Sequence, residues 1–534
     1  MVDLEHKEGI RMRKELGKQT ATIACAIFAA ASALAEPVTY EAFGAKGDGK
    51  TDDRAAIVAT HKAANEQGLP VRAKDGAVYY VKSDEGTAVV KTDVDFGTAK
   101  FVIDDTEVKK LHSPLFSVAP GKDEVRVEGV KSLKRGQKNL GAALPGKCFV
   151  HLWYDGVKRY IRYGPNQNNG TAQQEVLVAD ADGTIDAGTP LLWDYDGITG
   201  IFARPIDERT LVVRGGTFVT VANQAESRYL YHHRGFSVNR SNVRIEGMRH
   251  EVTGELDHGA PYGGFISISH CAFVAVTNCT FTAHKTYSTI GSAGTKVSMG
   301  SYDISVNHAA YVSFLDSRQL TDIKDYRYWG LFGSNFCKNL LFDGCEFSRF
   351  DAHMGVANAT IRNSKLGYMG INLIGFGSFL VENTTVFANR FFNLRSDYGS
   401  TWQGDVTAKN CRLVLPWVCK SVQVFSGSNK GTHDFGYECS MPAKVVVDGF
   451  EIDDSDCKTK DYAGPFLFGD FNTNMKDDSY VEKFPYKTTE EAVLRNAKVT
   501  SGRRLSLSPN PYMFRNTKVA GESDLRQDGD PPRL

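Results

Sequence analysis

The sequence predicts an all-β protein built from one recurring unit, on the basis of its composition, its length and an internal repeat. Its 534 residues include 51 Gly, 31 Phe and 22 Tyr, which suits many short strands joined by turns. A single compact domain seldom reaches this length, whereas a repeat protein can, because each unit buries its apolar face against the next. Hydrophobic residues make up 42% of the chain, which argues against disorder.

The repeat consists of an apolar residue, any residue, then Asn, Asp or Gly, a small or apolar residue, any residue and usually a second apolar residue. Nine copies occur, at residues 245–250, 276–281, 314–319, 342–347, 361–366, 381–386, 408–413, 447–452 and 494–499. Alternation buries the apolar residues, and Asn or Gly accepts the left-handed corner. Cys345, Ser364 and Thr384 are 19 and 20 residues apart, about one solenoid turn. We therefore expect a right-handed parallel β-helix over residues 207–510, with a polar ladder of Asn side chains at the corner and a C-terminal tail at 511–534.

Residues 1–35 have the pattern of a secretory signal peptide. Three basic residues precede an apolar run at 21–34, and Ala-Leu-Ala at 33–35 fits the small-x-small cleavage rule. Translation could also start at Met12, because residues 1–11 add nothing to the signal. The apolar run is short for a membrane span, and no later segment is apolar enough to cross a bilayer. We expect a protein that is secreted or periplasmic after cleavage, with no membrane span.

The segment 36–125 is predicted to form an N-terminal cap and the first β-helix turns. In "FGAKGDGKTDD", residues 43–53, the Gly-Asp-Gly run indicates a turn, and Asp52 or Asp53 is suited to cap a helix. Apolar residues then recur at helical spacing from Arg54 to Ala64. Such a helix would cover the open end of the solenoid, whose unpaired strand edges would otherwise associate. The phosphate-binding pattern G-x-x-x-x-G-K-[ST] is not present in this stretch.

Residues 126–206 interrupt the repeat and are predicted to form a small inserted antiparallel β-domain. Polar and apolar residues alternate there around Asp-Gly and Asn-Gly turns, which is typical of hairpins. Asp180-Ala-Asp182-Gly183 matches the start of a calcium loop, but without a downstream glutamate it favours a hairpin turn. Trp153, Tyr154, Tyr160 and Tyr163 could stack on sugars or belong to the core. No cofactor and no protein-bound metal is expected, although a structural or catalytic calcium ion stays open.

The cysteines provide a test of the repeat. Cys279, Cys345 and Cys411 occupy the same position of three copies, where an interior column needs small apolar side chains, so we expect buried free thiols. Cys439 and Cys457 fall outside the pattern and are the candidates for a disulfide. No C-x2-C pair is present, which argues against zinc.

The opening motif of residues 43–53, with the helix after it and the solenoid pattern, resembles the pectin-lyase-like β-helix superfamily. The resemblance covers residues about 40–105 by motif and 210–510 by architecture, and it implies extracellular or surface polysaccharide as substrate. The catalytic motifs of polygalacturonases are missing, so no catalytic residue is transferred. The resemblance therefore implies a polysaccharide or oligosaccharide partner. Lys plus Arg equals Asp plus Glu at 63 each, so we expect no nucleic-acid partner.

On a β-helix, residues at equal offsets from the repeat are expected to stack, so offsets predict neighbours. Even offsets from Cys345, Ser364 and Thr384 place six polar residues on one outward face: Arg349, Asp351, His353, Tyr368, Asn372 and Arg390. Further candidates follow on the next strand, at Arg395, Asp397 and Tyr398. Others lie on loops of the two preceding turns, at His284, Lys285, Asp322, Asp325, Tyr326 and Trp329.

Three functions fit this cluster. A glycoside hydrolase needs two carboxyls about 5 Å or about 6.5–9.5 Å apart; Asp351 with Asp397 could supply them, with His353 orienting or tuning Asp351, and Asp322 or Asp325 could replace Asp397. A polysaccharide lyase instead needs a base and a cation on the uronate carboxylate. Its base could be Tyr368, His353 or Lys285, and its cation could be Arg349, Arg390 or Arg395. The third alternative is a non-catalytic glycan-binding β-helix. Hydrolysis is the primary prediction.

Overall fold

The computed structural model describes residues 36–415, 420–457 and 462–521, and these form a right-handed parallel β-helix. The predicted fold class is therefore confirmed, including the capping helix and the inserted antiparallel sheet. The predicted signal peptide at 1–35 and residues 522–534 of the predicted tail lie outside the described residues. The limits of the predicted segments stay predictions.

Three stacks of parallel strands build the body. The first stack contains Val38–Thr39, Val71–Arg72, Val94–Asp95, Leu211–Arg214, Val243–Glu246, Gly263–Thr277, Tyr302–Leu315, Phe332–Asp343, Glu346–Arg362, Gly375–Glu382, Trp402–Lys409, Lys444–Asp448, Glu491–Arg495 and Lys518–Ala520. The second contains Asp48–Asp52, Val78–Val81, Lys100–Asp104, Thr217–Val221, Arg249–Thr253, Thr280–Phe281, Arg318–Gln319, Lys365–Leu373, Thr385–Phe387, Arg412–Val414, Glu451–Asp453 and Lys498–Val499. The third contains Ala88–Val90, Phe116–Val118, Phe236–Val238, Arg390–Leu394, Gln423–Ser426 and Phe466–Phe468. Several strands of the first stack are long enough to turn a corner and pair in two stacks, which gives the site a continuous floor.

The corner residues of the repeat adopt the conformation that the sequence predicts. Five of them have φ between 49° and 52°, namely Asn278, Asn363, Asn383, Asn410 and Asn496. Their side chains bond from turn to turn: Asn383 Nδ2 donates to Asn363 Oδ1 at 3.2 Å, and Asn410 Nδ2 donates to Asn383 Oδ1 at 3.4 Å. Asn accepts this left-handed region because its short amide can bond locally. The predicted polar ladder is confirmed.

The helix Arg54–Gln67 covers the N-terminal end of the solenoid, as predicted, and buries Ile57 and Ala64 against the core. Asp53 occupies its N-cap position, but the carboxylate of Asp53 accepts the backbone N–H groups of Lys46 and Gly47, at 2.7 and 3.0 Å. Asp53 therefore ties the Gly-rich turn to the start of the helix. Short 3-10 helices lie at Glu41–Phe43 and Ser396–Tyr398. None of the helices among the described residues is long and apolar enough to span a membrane.

The inserted sheet comprises Val125–Arg126, Cys148–Arg159, Thr171–Ala179 and Gly200–Pro205, all paired antiparallel. One face packs Phe149, Val176 and Val178 against Ala272 and Ala310 of the β-helix. A buried ion pair, Lys338 Nζ to Glu175 Oε2 at 2.7 Å, joins the two parts beneath this contact. The insert therefore lies on the flank of the solenoid and is held by both apolar and charged contacts.

The sequence 180–183 forms the predicted turn. The N–H of Gly183 donates to Asp180 O at 2.9 Å, and the N–H of Thr184 donates to Asp182 Oδ1 at 2.9 Å. Two small strand pairs lie outside these sheets. Tyr287–Ile290 pairs antiparallel with Lys296–Met299 and forms a hairpin, and Cys439–Ser440 pairs parallel with Tyr486–Lys487.

The interior cysteine column is confirmed. Cys279, Cys345 and Cys411 are free and no more than 3% exposed. Cys439 is also a free thiol, so the predicted bridge between Cys439 and Cys457 is wrong. Each of these buried thiols fills a small apolar space.

We expect the three column thiols to stay unlabelled in the native protein. Burial raises the pKa of Cys279, Cys345 and Cys411 to about 12, which leaves almost no thiolate at neutral pH to attack a reagent. Mass spectrometry after alkylation should find them modified only when denaturant is added. Modification of these residues under native conditions would contradict the interior column.

Candidate functional site

A cavity of about 640 Å³ forms a groove on the side of the β-helix that carries the insert. Its floor comes from the long strands Tyr302–Leu315, Phe332–Asp343 and Glu346–Arg362. Its walls come from loop residues 111–112, 162, 166, 229–231 and 233, and from Ser298 and Gly300 at the end of the strand Lys296–Met299. Rigid parallel strands thus hold the floor, while loops from distant parts of the chain form the rim.

A polar ladder crosses the floor from strand to strand. Asn307 Nδ2 donates to Ser305 Oγ at 2.8 Å, and Asn335 Nδ2 donates to Asn307 Oδ1 at 2.6 Å. His353 Nδ1 lies 2.9 Å from Asn335 Oδ1. Because an amide oxygen can only accept, Nδ1 of His353 carries the proton. Nε2 of His353 is therefore the acceptor, 3.4 Å from the hydroxyl of Tyr398.

Two carboxylates lie behind the groove, each paired with arginine. Asp351 is fully buried and contacts Arg349 Nη2 at 2.6 Å and Arg395 Nη1 at 2.9 Å. Asp397 Oδ2 lies 2.8 Å from Arg395 Nη2 and 2.7 Å from Arg162 Nη2. Arg395 thus joins both carboxylates. Arg162, Arg349 and Arg395 line the groove, and no Asp or Glu is among the lining residues.

The charge states follow from this arrangement. Burial acts to raise the pKa of Asp397, but Arg395 and Arg162 outweigh it and bring that pKa to about 2, so Asp397 is ionised. Burial, with the nearby Arg395, lowers the pKa of His353 to about 3, so its imidazole is neutral at neutral pH. The groove therefore combines fixed positive charge with a neutral imidazole acceptor.

Arg349 has unused hydrogen-bonding capacity. Its side chain is 3% exposed, and its Nε and Nη1 have no hydrogen-bond partner. Its Cζ lies 5.4 Å from the centre of the Trp329 ring, and the buried Nε1 of Trp329 also lacks a partner. A Cβ at residue 330 would collide with the stem of Arg349, so Gly330 allows the guanidinium to lie there. Buried donors without acceptors are costly, and an anionic ligand group would satisfy them.

Four of the predicted site residues line this groove: Trp329, Arg349, His353 and Arg395. Asp351, Asp397 and Tyr398 lie directly behind them. Asn372 is 7% exposed and accepts from Asn393 Nδ2 at 2.7 Å, next to Asp351.

The other predicted residues lie away from the cavity. The Tyr368 hydroxyl donates to Tyr328 O, the Lys285 ammonium donates to Glu255 O at 3.1 Å, and Arg390 is exposed beside Gln423. Asp322 and Tyr326 are exposed, and Asp325 pairs with Arg327 at 2.6 Å. His284 belongs to a buried network with Asp303 and Glu255. None of these residues lines the groove.

Counting offsets gave the wrong stacking at one point. Equal offsets place Asp351 beside Gly370, but the structure pairs Arg349 with Gly370 and Asp351 with Asn372. The register shifts between Phe347 and Arg349, because one strand contains extra residues at an irregularity. Such a bulge moves every later residue relative to its expected neighbour.

Several groove residues were missed by the sequence analysis. The rings of His112 and His233 stack on one wall with their centroids 4.7 Å apart, while Tyr302 and Asn335 lie on the floor. Arg162 comes from the insert and pairs with Asp397, which lies 235 residues later in the sequence. No repeat offset connects these positions, so only the folded chain brings them together.

No family model and no curated protein matches this chain. Its fold is similar to that of the tailspike gp61 of Pseudomonas phage phi297, with a TM-score of 0.51 and 14% identity, over 91% of this chain and 84% of that one. It is also similar to the tailspike protein gp49 from Pseudomonas phage LKA1, with a TM-score of 0.51 and 14% identity, over 90% and 84%. At this identity the similarity shows a shared β-helix fold and nothing about the reaction.

Proposed function

We propose that the protein binds an acidic polysaccharide in this groove and cleaves it by β-elimination. The observation that carries the proposal is the charge of the lining, which contains three arginines and no carboxylate. A uronate carboxylate would accept a charge-assisted hydrogen bond from the unpartnered Nη1 of Arg349. The predicted export of the chain would place it among such polymers, and the resemblance of its opening motif to the pectin-lyase-like superfamily agrees with this substrate class.

The chemistry follows from the groove residues. A guanidinium on the uronate carboxylate stabilises the negative charge that develops when the C5 proton leaves. The neutral Nε2 of His353 takes that proton, because its Nδ1 already donates to Asn335. The C4–O4 bond then breaks, a C4=C5 double bond forms, and the leaving oxygen takes a proton from the Tyr302 hydroxyl, which lines the same groove.

Hydrolysis is less well supported by the geometry. It requires two carboxyls that reach the glycosidic bond. Asp351 and Asp397 are held in ion pairs behind the arginines, and Asp397 is ionised and cannot act as the acid. Non-catalytic glycan binding is the second candidate, because Tyr229 and Leu230 on the rim are 42% and 50% exposed, and Tyr229 offers an aromatic face on which a sugar ring can stack.

The test is a panel of neutral and acidic polysaccharides, assayed for reducing ends and for the ultraviolet absorbance of an unsaturated product. β-Elimination gives both signals on acidic polymers only. Reducing ends without the absorbance would replace the lyase with a hydrolase, and binding without either signal would favour the non-catalytic candidate.

We expect Arg349→Gln to weaken binding of the acidic glycan by about tenfold or more, because a charge-assisted contact is lost. Arg362→Gln is the matched control: it lies on the same strand, is exposed and pairs with Asp343 away from the groove. Calorimetry should separate the two variants after circular dichroism confirms that both fold. Equal binding by both variants would contradict the role of Arg349.

A further inference from the structure

The loop of residues 161–170, here called the strap, joins two long strands of the insert, Cys148–Arg159 and Thr171–Ala179. It leaves the inserted sheet and runs over the β-helix. Arg162 and Asn166 of the strap line the groove. The strap therefore forms part of the wall of the groove.

One end of the strap is anchored near the C-terminal end of the groove. The N–H of Tyr163 donates to Asp397 O at 3.0 Å, and Arg162 pairs with the Asp397 carboxylate at 2.7 Å. The ring of His433 donates through Nε2 to Ile161 O at 3.1 Å. This end is fixed to the turns that follow the floor strands.

The tip of the strap contacts the opposite end of the groove. Asn166 Nδ2 donates to the Tyr229 hydroxyl at 3.0 Å, on the wall loop that precedes the floor strands. Ser292 Oγ donates to Gln167 O at 2.7 Å, and the N–H of Ala293 donates to Pro165 O at 3.0 Å. Gly291 allows this approach, because a Cβ at that position would collide with Pro165 O.

These contacts connect turns that the floor strands separate. Tyr229 precedes Phe236–Val238, while Asp397 follows Arg390–Leu394, and the floor strands lie between them. Neighbouring strands are about 4.8 Å apart, so the strap passes over several turns. A polymer laid sideways into the groove would meet the strap and the hairpin of Tyr287–Ile290 and Lys296–Met299, whose turn contacts the strap.

We propose that the strap closes this side of the groove and makes the site selective for chain ends, so that an acidic glycan enters by one terminus and is shortened from that terminus. This rests on the proposed function of the same groove. Short oligosaccharides and chain ends are then the preferred ligands, and internal segments of a long polymer are excluded while the strap is in place.

The first test shortens the strap, replacing residues 164–169 with Gly-Gly in the full-length protein. Wild type should release short products while the viscosity of an acidic polymer falls slowly. The shortened variant should cut internal bonds, so the viscosity lost per bond cleaved rises by about tenfold. The same viscosity profile for both proteins would overturn the proposal.

The second test locks the strap, with Pro165→Cys and Ala293→Cys placed where a backbone hydrogen bond brings the two residues together. The oxidised protein should act on oligosaccharides as well as the reduced one, because a chain end needs no opening of the strap. Loss of that activity on oxidation, restored by reductant, would overturn the proposal in favour of a strap that must open.

Binding separates this proposal from the proposed function. Wild type should bind acidic oligosaccharides about tenfold more tightly, per chain end, than internal polymer segments, and the shortened variant should lose that preference. If this binding pattern occurs without cleavage, the proposed lyase activity is wrong and the proposed chain-end selectivity is supported. If the protein cleaves the polymer with no preference for chain ends, the lyase activity is supported and the chain-end selectivity is wrong. If it binds no glycan at all, both proposals are overturned.

Discussion

Asp351→Asn is expected to lower turnover on a confirmed acidic substrate by about a hundredfold or more, the magnitude of a lost acid, base or positioned charge. Asp351 is fully buried and contacts both Arg349 and Arg395, at 2.6 and 2.9 Å. Asn is nearly the same size but carries no charge. The two guanidinium groups would therefore lose the anion that holds them in the groove wall.

The kinetic constants distinguish the two roles that Asp351 could have. If it positions the arginines, KM for the acidic glycan rises together with the fall in kcat, because the binding cations move. If it reacts with the substrate, as the sequence analysis predicts, kcat falls while binding is retained. Asp448→Asn is the control, because Asp448 lies at an ordinary corner of the repeat, where its carboxylate accepts from Asn496 Nδ2 at 2.9 Å. Near-normal turnover of Asp351→Asn would contradict both roles.

Asp303→Asn is expected to lower the free energy of unfolding by about 3–5 kcal/mol, the usual cost of breaking a buried ion pair. Asp303 is fully buried; its Oδ1 lies 2.7 Å from His250 Nδ1 and 3.3 Å from His284 Nε2. Burial acts to lower the pKa of His284, but Asp303 and Glu255 outweigh it and raise that pKa to about 9. His284 is therefore charged at neutral pH and would lose half of its counter-charge. Denaturant unfolding should show the loss, whereas exposed Asp322→Asn should change stability by less than about 0.5 kcal/mol.

The same network gives a pH dependence with a definite sign. A histidine whose pKa rises on folding stabilises the native state fully below its unfolded pKa of about 6.5, and that contribution is lost as pH rises through the folded value. The contribution of His284 should therefore disappear between about pH 6.5 and about pH 9. In Asp303→Asn this decline should be smaller. An equal decline in wild type and variant would show that another group causes it.

The sequence alone determined the body of this protein. Nine copies of one short pattern predict the parallel β-helix, because alternation buries the same positions in every turn. The Asn corners with φ near 50° and the buried Cys column follow from the same local rule. The capping helix Arg54–Gln67 is equally local, since its apolar spacing and its N-cap position lie within a few residues of each other.

Only the tertiary structure decided the site. The register shift beside Arg349 places Asn372 rather than Gly370 next to Asp351, and equal spacing in the sequence does not reveal a bulge. The ion pairs of Asp351 with Arg349 and Arg395 also appear only in the folded chain. The groove also depends on Arg162 and His233, which arrive on loops far from the floor strands in sequence. Residues that are distant along the chain meet only when the insert packs on the flank of the solenoid. Local patterns therefore specify the repeating backbone, whereas long-range packing determines which charges face the groove.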